Sequence, residues 1–397
     1  MEYKYAGRAR FAAPTLIRMA NDYAAGNPDF IFFSVGNPSV ETFPAKELRE
    51  LADEVLAEDY KSCLPYGENP GYPPLRALVR ERLVKRGILK ADDDNDLFIT
   101  PGSGHGMDLM TMTFCDPGDE IIVEEFTYTG IIGSARCMGA SLVGVRMEGD
   151  GMDMADLEEK LRTHPRAKFI YLVPTFSNPT GITWSMEKRK ALYALSQKYD
   201  IMIYEDDPYG ELRYSGTPVD TVKSLDTDGR VVYAGSFSKI LSAGLRVGYV
   251  VCDKSLYTKL SCAAGNVVVA SNLAQMVMAK YMERYDLDAH IQKACDYYGK
   301  KARAMKEALD RCLPEGWVRT DPEGGLFMWV TAPEKVDAME MWKELLSMGV
   351  GLAPSASFAP DRDNPGHAFR LNYSRPSIED IEKGCEIFGK VSGKYTK

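Results

Sequence analysis

Between about residues 95 and 255 the chain alternates short apolar runs with helix-like segments, and few folds accommodate that rhythm. The runs are Leu97 to Thr100, Glu120 to Val123, Phe169 to Val173, Ile201 to Tyr204, Val231 to Ala234 and Val247 to Val251. They are too short for helices, rich in β-branched and aromatic side chains, and bounded by Gly, Ser, Pro or Asp. Between them lie segments such as Met186 to Lys198, with Ser185 in position to cap its first turn. Strands alternating with helices predict an α/β fold with a mostly parallel central sheet flanked by helices. Ligands of such sheets sit at the carboxyl ends of the strands, so the loops leaving these runs are where function is to be sought.

A chain of 397 residues exceeds what one core usually holds, and two domains are expected. After about residue 285 the pattern changes to a long charged helix, roughly Asp286 to Cys312, then GGLFMWV, a helix around Ala338 to Ser347, and FRLNYS. These read as a smaller α+β domain. The expected division is an N-terminal segment 1–45 packing with the small domain, a large domain 46–285 and a small C-terminal domain 286–397. The net charge of -9 gives no footprint for nucleic acid or an acidic membrane face. No run of apolar residues is long enough for a membrane span, and charges interrupt MEYKYAGRARFAAPTLIRMA before a signal-peptide core can form. The eight cysteines show no C-x-x-C spacing and no clustering with the four histidines, so no metal site is expected. They suit the reduced thiols of a cytoplasmic protein.

Four loops carry the polar chemistry. Leu97 to Thr100 leads into PGSGHGMDLMTMTF, a glycine-rich turn opening a helix whose first N–H groups attract phosphate. Three later strands, Phe169 to Val173, Ile201 to Tyr204 and Val231 to Ala234, run into PTFSNPTG, EDDPYG and GSFSKILSAGLRVG. One sheet edge thus gathers the amide of Asn178, the carboxylates of Asp206 and Asp207, the phenol of Tyr209, and Lys239. Taken singly, Asn178 is an ordinary turn residue before Pro179, the aspartates suit a solvated loop and Tyr209 suits packing. Their joint occurrence at one edge points to a ligand.

S-x-S-K followed by R-x-G-Y, with S-N-P-T-G upstream and E-D-D-P-Y between, resembles the fold-type I pyridoxal 5'-phosphate enzymes, specifically the class I and II aminotransferases. The likeness runs from SVGNPSVETFP through YGENPGYPPLR to FRLNYSRP, and is nearest to the 2-aminoadipate and kynurenine aminotransferase-like group. The resemblance implies Lys239 as the Schiff-base lysine, whose amine also carries a proton during the reaction. It implies Ser236, Ser238 and Arg246, with the amides at Ser103, Gly104 and His105, as the phosphate site. Asp206, which keeps the D-x-x-Y spacing to Tyr209, is implied as partner of the pyridine nitrogen in preference to Asp207. Tyr209 and Asn178 would bond the ring hydroxyl, and Tyr128 would stack on the ring.

Arg370 in AFRLNYS matches the arginine that grips the substrate α-carboxylate, with Gly36 allowing close approach. Tyr66 resembles a tyrosine given to the cofactor phosphate by a neighbouring subunit, which implies a homodimer with a shared site. One departure is Ser355 in GLAPSASFAP, where the family usually has glycine, and it leaves the loop near Phe358 open. Arg18 could meet an acidic substrate side chain or simply be solvated, while Tyr128 and Phe327 suit aromatic or long-chain amino acids. The implied activity is transfer of an amino group from an L-amino acid to a 2-oxo acid such as 2-oxoglutarate. A lyase, decarboxylase or racemase on the same scaffold is the alternative. An effector-sensing regulator would need a DNA-binding domain, for which strand-like FIFFSVGNP near residue 30 leaves no room.

Overall fold

The computed structural model describes residues 3–11 and 15–396. Its centre is a seven-stranded sheet of β1 (Asn95–Thr100), β2 (Glu120–Glu124), β3 (Ser141–Val145), β4 (Ala167–Leu172), β5 (Met202–Asp207), β6 (Val231–Ser236) and β7 (Gly248–Asp253). The spatial order is β1-β7-β6-β5-β4-β2-β3. Strands β2 to β6 pair in parallel, whereas β7 is antiparallel to both β1 and β6. The reversal has a covalent cause. Phe237–Val247 is too short for a helical crossover, so the chain must turn back beside the strand it has just left. Arg246 and Gly248 consequently arrive at the same edge as the carboxyl ends of the parallel strands.

All six apolar runs are strands. The seventh, β3, was not expected, because Ser141 and Gly144 break the apolar character of an edge strand whose ends and faces are partly exposed. Within the sheet, successive residues serve opposite cores. Ile121, Val123, Tyr171, Tyr204 and Val232 belong to one buried cluster, and Ile122, Ile170, Leu172, Ile203 and Val231 to the other. Burial on both faces is why the strands read as continuous apolar runs.

Helices of the fold include α1 (Leu16–Tyr23), α2 (Ser103–Phe114), α3 (Thr129–Met138), α4 (Met186–Lys198), α5 (Leu287–Cys312), α6 (Ala338–Ser347) and α7 (Ile378–Thr396). Ser185 Oγ accepts from Lys188 N at the start of α4, while Asp286 and Asp337 cap α5 and α6. A second, antiparallel sheet of β8 (Val318–Arg319), β9 (Phe327–Thr331), β10 (Ala353–Pro354) and β11 (Ala368–Asn372) has the order β8-β9-β11-β10. Near the N-terminus Ile31–Phe32 pairs in parallel with Val350–Gly351. Among the described residues no helix is long and apolar enough to cross a membrane.

Candidate active site

A cavity of about 300 Å³ opens at the carboxyl edge of the large sheet. It is lined by Gly36, Ser103, Gly104, Tyr128, Asn178, Asp206, Tyr209, Ser236, Ser238, Lys239, Arg246 and Arg370, together with Ile17, Asn37, Thr129, Val173, Pro208 and Ala243. Chain topology explains the convergence. Asn178 follows β4, Asp206 is the penultimate residue of β5, Ser236 closes β6 with Lys239 just beyond it, and α2 opens shortly after β1. Arg370 comes from β11 of the second sheet, and Gly36 from the segment after Ile31–Phe32.

Lys239 Nζ donates to the Gly36 carbonyl at 2.9 Å. Burial lowers its pKa to about 8, helped by the nearby charges of Arg370 and Arg246 and opposed by Asp206. An amine in that range carries a proton reversibly near neutral pH and is nucleophilic when it has lost it. Asp206 Oδ2 accepts from Tyr171 at 2.9 Å, whereas Oδ1 is buried with no hydrogen-bonded partner. Burial raises this carboxyl to about 7 against the Tyr171 hydrogen bond; the Ser103 hydroxyl also favours the charged form without reaching hydrogen-bond geometry. Such a group is prepared for a cationic partner.

Arg370 is 3% exposed and has no carboxylate partner among the described residues. Its Nη1 donates to Asn178 Oδ1 at 2.7 Å and its Nη2 to the Ser34 carbonyl at 2.6 Å, and Nε is unsatisfied. The rings of Phe327 and Phe358 flank the guanidinium, with centroids 4.4 and 4.8 Å away. Burial lowers its pKa to about 10, and a charge so enclosed attracts an anion strongly. Asn178 Nδ2 donates to Tyr209 Oη at 3.3 Å, joining the arginine to the phenol.

The same cavity is lined by Ser236, Ser238, Arg246 and the first turn of α2. Arg246 adopts φ +54°, an uncommon conformation for a residue with a side chain, and its guanidinium donates to Ser238 Oγ at 3.4 Å and to the Pro101 carbonyl at 2.8 Å. A Cβ on Gly102 would fall 2.4 Å from Arg246 Nη2, so only glycine lets the arginine close over the helix start. Hydroxyls, a guanidinium and helix N–H groups, gathered around one cavity with a lysine and an unpartnered carboxylate oxygen, suit a phosphorylated pyridine aldehyde.

Several residues stand apart from this convergence. The His105 N–H is used within its own turn, bonding the Gly102 carbonyl at 3.2 Å, and its imidazole is outside the cavity lining, with burial lowering its pKa. Tyr66 is 100% exposed and outside the cavity of its own chain. Arg18 is exposed on α1, while its neighbour Ile17 lines the cavity. Asp207 points to the opposite face of β5, where its two oxygens accept from Gly210 N and Tyr233 Oη. Ser355 resolves the loop that its presence left open: Oγ accepts from Ala368 N at 3.1 Å, tying the turn before Phe358 to β11. Sequence reasoning missed Tyr171, whose place in an apolar run hid its phenol, and Ile17, whose helix was read through Arg18.

Comparison with known proteins agrees with this geometry. The family model described as aminotransferase class I and II matches residues 28–388. An aromatic-amino-acid aminotransferase of Thermococcus litoralis is 37% identical over 363 residues, 90% of this chain and 87% of the relative. A 2-aminoadipate transaminase of Thermus thermophilus is 30% identical over 388 residues, covering 97% of this chain and 95% of the relative. A crystal structure of a Pyrococcus horikoshii kynurenine aminotransferase in complex with PMP superposes with a TM-score of 0.94 at 34% identity, covering 99% of this chain and 98% of that one. With the family model matching most of its length, and relatives of that identity along it, this chain belongs to the pyridoxal phosphate-dependent class I and II aminotransferases.

Proposed function

We propose that this aminotransferase moves nitrogen from an L-amino acid with a large apolar or aromatic side chain to a 2-oxo acid, 2-oxoglutarate in the first instance, in alternating half-reactions. The observation that carries this reading is the convergence of three groups on one cavity: the Lys239 amine, the Asp206 carboxyl and the Arg370 guanidinium. Pyridoxal phosphate, when bound, supplies an electron sink for the bonding pair released at the substrate α-carbon.

The protein supplies the rest. Lys239 would tether the cofactor, and its amine, with a pKa near neutral pH, would serve as the base that takes the proton from the substrate α-carbon. Ser236, Ser238, Arg246 and the Ser103 and Gly104 amides hold the phosphate. Asp206 would hold the ring nitrogen, Tyr209 and Asn178 would bond the ring hydroxyl, and Tyr128 would pack on the ring. Arg370 takes the substrate α-carboxylate as a fork, with the Phe327 and Phe358 rings excluding water from the pair. Ile17 on α1 faces the same cavity and favours an apolar substrate side chain. The names of the relatives, aromatic-amino-acid and kynurenine aminotransferases, support the same substrate class.

The working form is a homodimer in which Tyr66 reaches the partner's phosphate site, and its full exposure in a single chain supports this. The segment 1–45 and the domain 286–397 act as one body against 46–285, a division supported by the pairing of Ile31–Phe32 with Val350–Gly351. A cytoplasmic setting is supported by eight cysteines that form no disulfide.

Borohydride reduction of the holoenzyme followed by peptide mass spectrometry tests the core of this reading. The cofactor is expected on the peptide carrying Lys239, and Lys239→Ala is expected to abolish both the label and transamination. Double-reciprocal plots for the donor at several acceptor concentrations should be parallel. A label on another lysine, or turnover of amino acids to ammonia without a 2-oxo acid, would overturn it.

A further inference from the structure

Neighbouring residues on a strand point to opposite faces of a sheet, and β5 ends in two aspartates that do so. Each is met by a buried tyrosine from a different neighbouring strand. Tyr171 on β4 donates to Asp206 Oδ2 at 2.9 Å, and Tyr233 on β6 donates to Asp207 Oδ2 at 2.7 Å. The register explains the pairing. Tyr171 lies opposite Tyr204, two residues before Asp206 on one face, and Tyr233 lies opposite Glu205, two residues before Asp207 on the other. Each phenol reaches diagonally along β5 to the next residue of its face.

The two carboxylates differ in what remains of them. Asp207 Oδ1 accepts from Gly210 N at 2.8 Å, and the Arg86 guanidinium stands 3.6 Å from its Oδ2, so both oxygens are engaged. Asp206 has one oxygen engaged and one without a partner, and it is the one that lines the cavity.

Resting on the reading of Asp206 as partner of the ring nitrogen, we propose that Tyr171 is a positioning residue for this reaction: its phenol fixes Asp206 Oδ2 and leaves Oδ1 for the cofactor. Tyr171 is fully buried and stacked on Tyr204, with centroids 5.8 Å apart and planes 16° from parallel, so its hydroxyl has little freedom to turn away. A phenol facing a carboxylate donates, which favours the ionised form that a protonated ring nitrogen requires. Tyr233 gives the same support to the wrong aspartate, and that makes it a matched control.

The experiment compares Tyr171→Phe, Tyr233→Phe and Asp206→Asn. Apoprotein is titrated with pyridoxal phosphate by fluorescence, and the holoenzymes are assayed for kcat and for KM of the amino acid donor. Tyr171→Phe is expected to weaken cofactor affinity and to lower kcat by about tenfold each, the usual effect of losing a hydrogen bond to a charged group, while donor KM stays within about twofold. Tyr233→Phe should leave cofactor affinity within about twofold. Equal losses in the two tyrosine variants would reduce Tyr171 to a packing role and overturn the proposal, as would unchanged affinity in Tyr171→Phe.

Asp206→Asn separates the proposal from the reading beneath it: if that variant binds and turns over normally, the role of Asp206 falls, and Tyr171's with it. Should Tyr171→Phe alone fail to fold, the comparison is carried in the Asp206→Asn background, where no carboxylate is left unpaired. There Tyr171→Phe is expected to add less than about twofold, and a further tenfold loss would overturn the proposal.

Discussion

The basicity of Lys239 is set by where its side chain lies. The pKa of about 8 arises from burial first and from the charges of Arg370 and Arg246 next, with Asp206 pulling the other way. Only the neutral amine attacks an aldehyde, so covalent capture of pyridoxal phosphate by the apoprotein is expected to speed up as pH rises to about 8 and to level off above it. Removing the opposing carboxylate lowers the amine's pKa further, and Asp206→Asn should bring the plateau to lower pH. Removing a like charge does the reverse, and Arg370→Met should carry it to higher pH. Timed borohydride quenching across pH reads all three; a profile without a limb below pH 8, or limbs that do not move in opposite directions, would show that these charges do not tune Lys239. That Lys239, Asp206 and Arg370 meet in one cavity was legible in the sequence, because motif spacing survives without coordinates. Their environment was not. Nothing in FRLNYS says that Phe327 and Phe358 will enclose the arginine, and nothing in FIYLV says that the buried tyrosine will hold Asp206 in place, because both depend on pairing between strands far apart in the chain.

At the scale of elements, the junction of β7 with the start of α2 beside the cavity is a packing problem. Gly248 opens β7 beside that turn, and a Cβ there would fall 2.6 Å from Ser103 N and 2.7 Å from the Gly102 carbonyl carbon. Both neighbours are backbone and cannot swing aside as a side chain would. Gly248→Ala is therefore expected to cost about 1–3 kcal/mol, from overpacking, and to weaken pyridoxal phosphate binding by displacing the amides of the first turn. Gly133 on α3 is the contrast, since a Cβ there meets nothing within 4 Å. Gly133→Ala should stabilise the protein by about 0.5–1 kcal/mol with cofactor affinity unchanged. Thermal melts of the apoproteins with cofactor titrations check both; a Gly248→Ala protein that binds normally would mean the helix start is not held by this contact. The elements themselves were largely readable, since both-face burial writes six of the seven strands as apolar runs and Ser185 announces α4. β3 escaped because an edge strand needs no such run, and the reversal of β7 followed from a connection length rather than from any residue in the strand.

For the whole molecule, the question is whether one chain holds a complete site. Eleven of the residues expected around the cofactor and the substrate carboxylate, together with Lys239, line a single cavity, whereas Tyr66 stands fully exposed outside it. If Tyr66 serves the partner's phosphate site, two defects on different chains must complement each other. A dimer formed from a Tyr66→Ala chain and a Lys239→Ala chain contains one site with neither defect, because the first chain keeps its lysine and receives the second chain's tyrosine. Its other site carries both defects. Co-refolding the two variants is thus expected to give more transamination than either variant alone, with dimers seen by sedimentation and a cofactor affinity in the repaired site like that of the wild type. If each chain instead uses its own Tyr66, every site in the mixture carries one defect and mixing gains nothing. A Tyr66→Ala protein with unaltered cofactor affinity would remove the tyrosine from the site altogether, leaving the phosphate to Ser236, Ser238, Arg246 and the α2 amides of one chain.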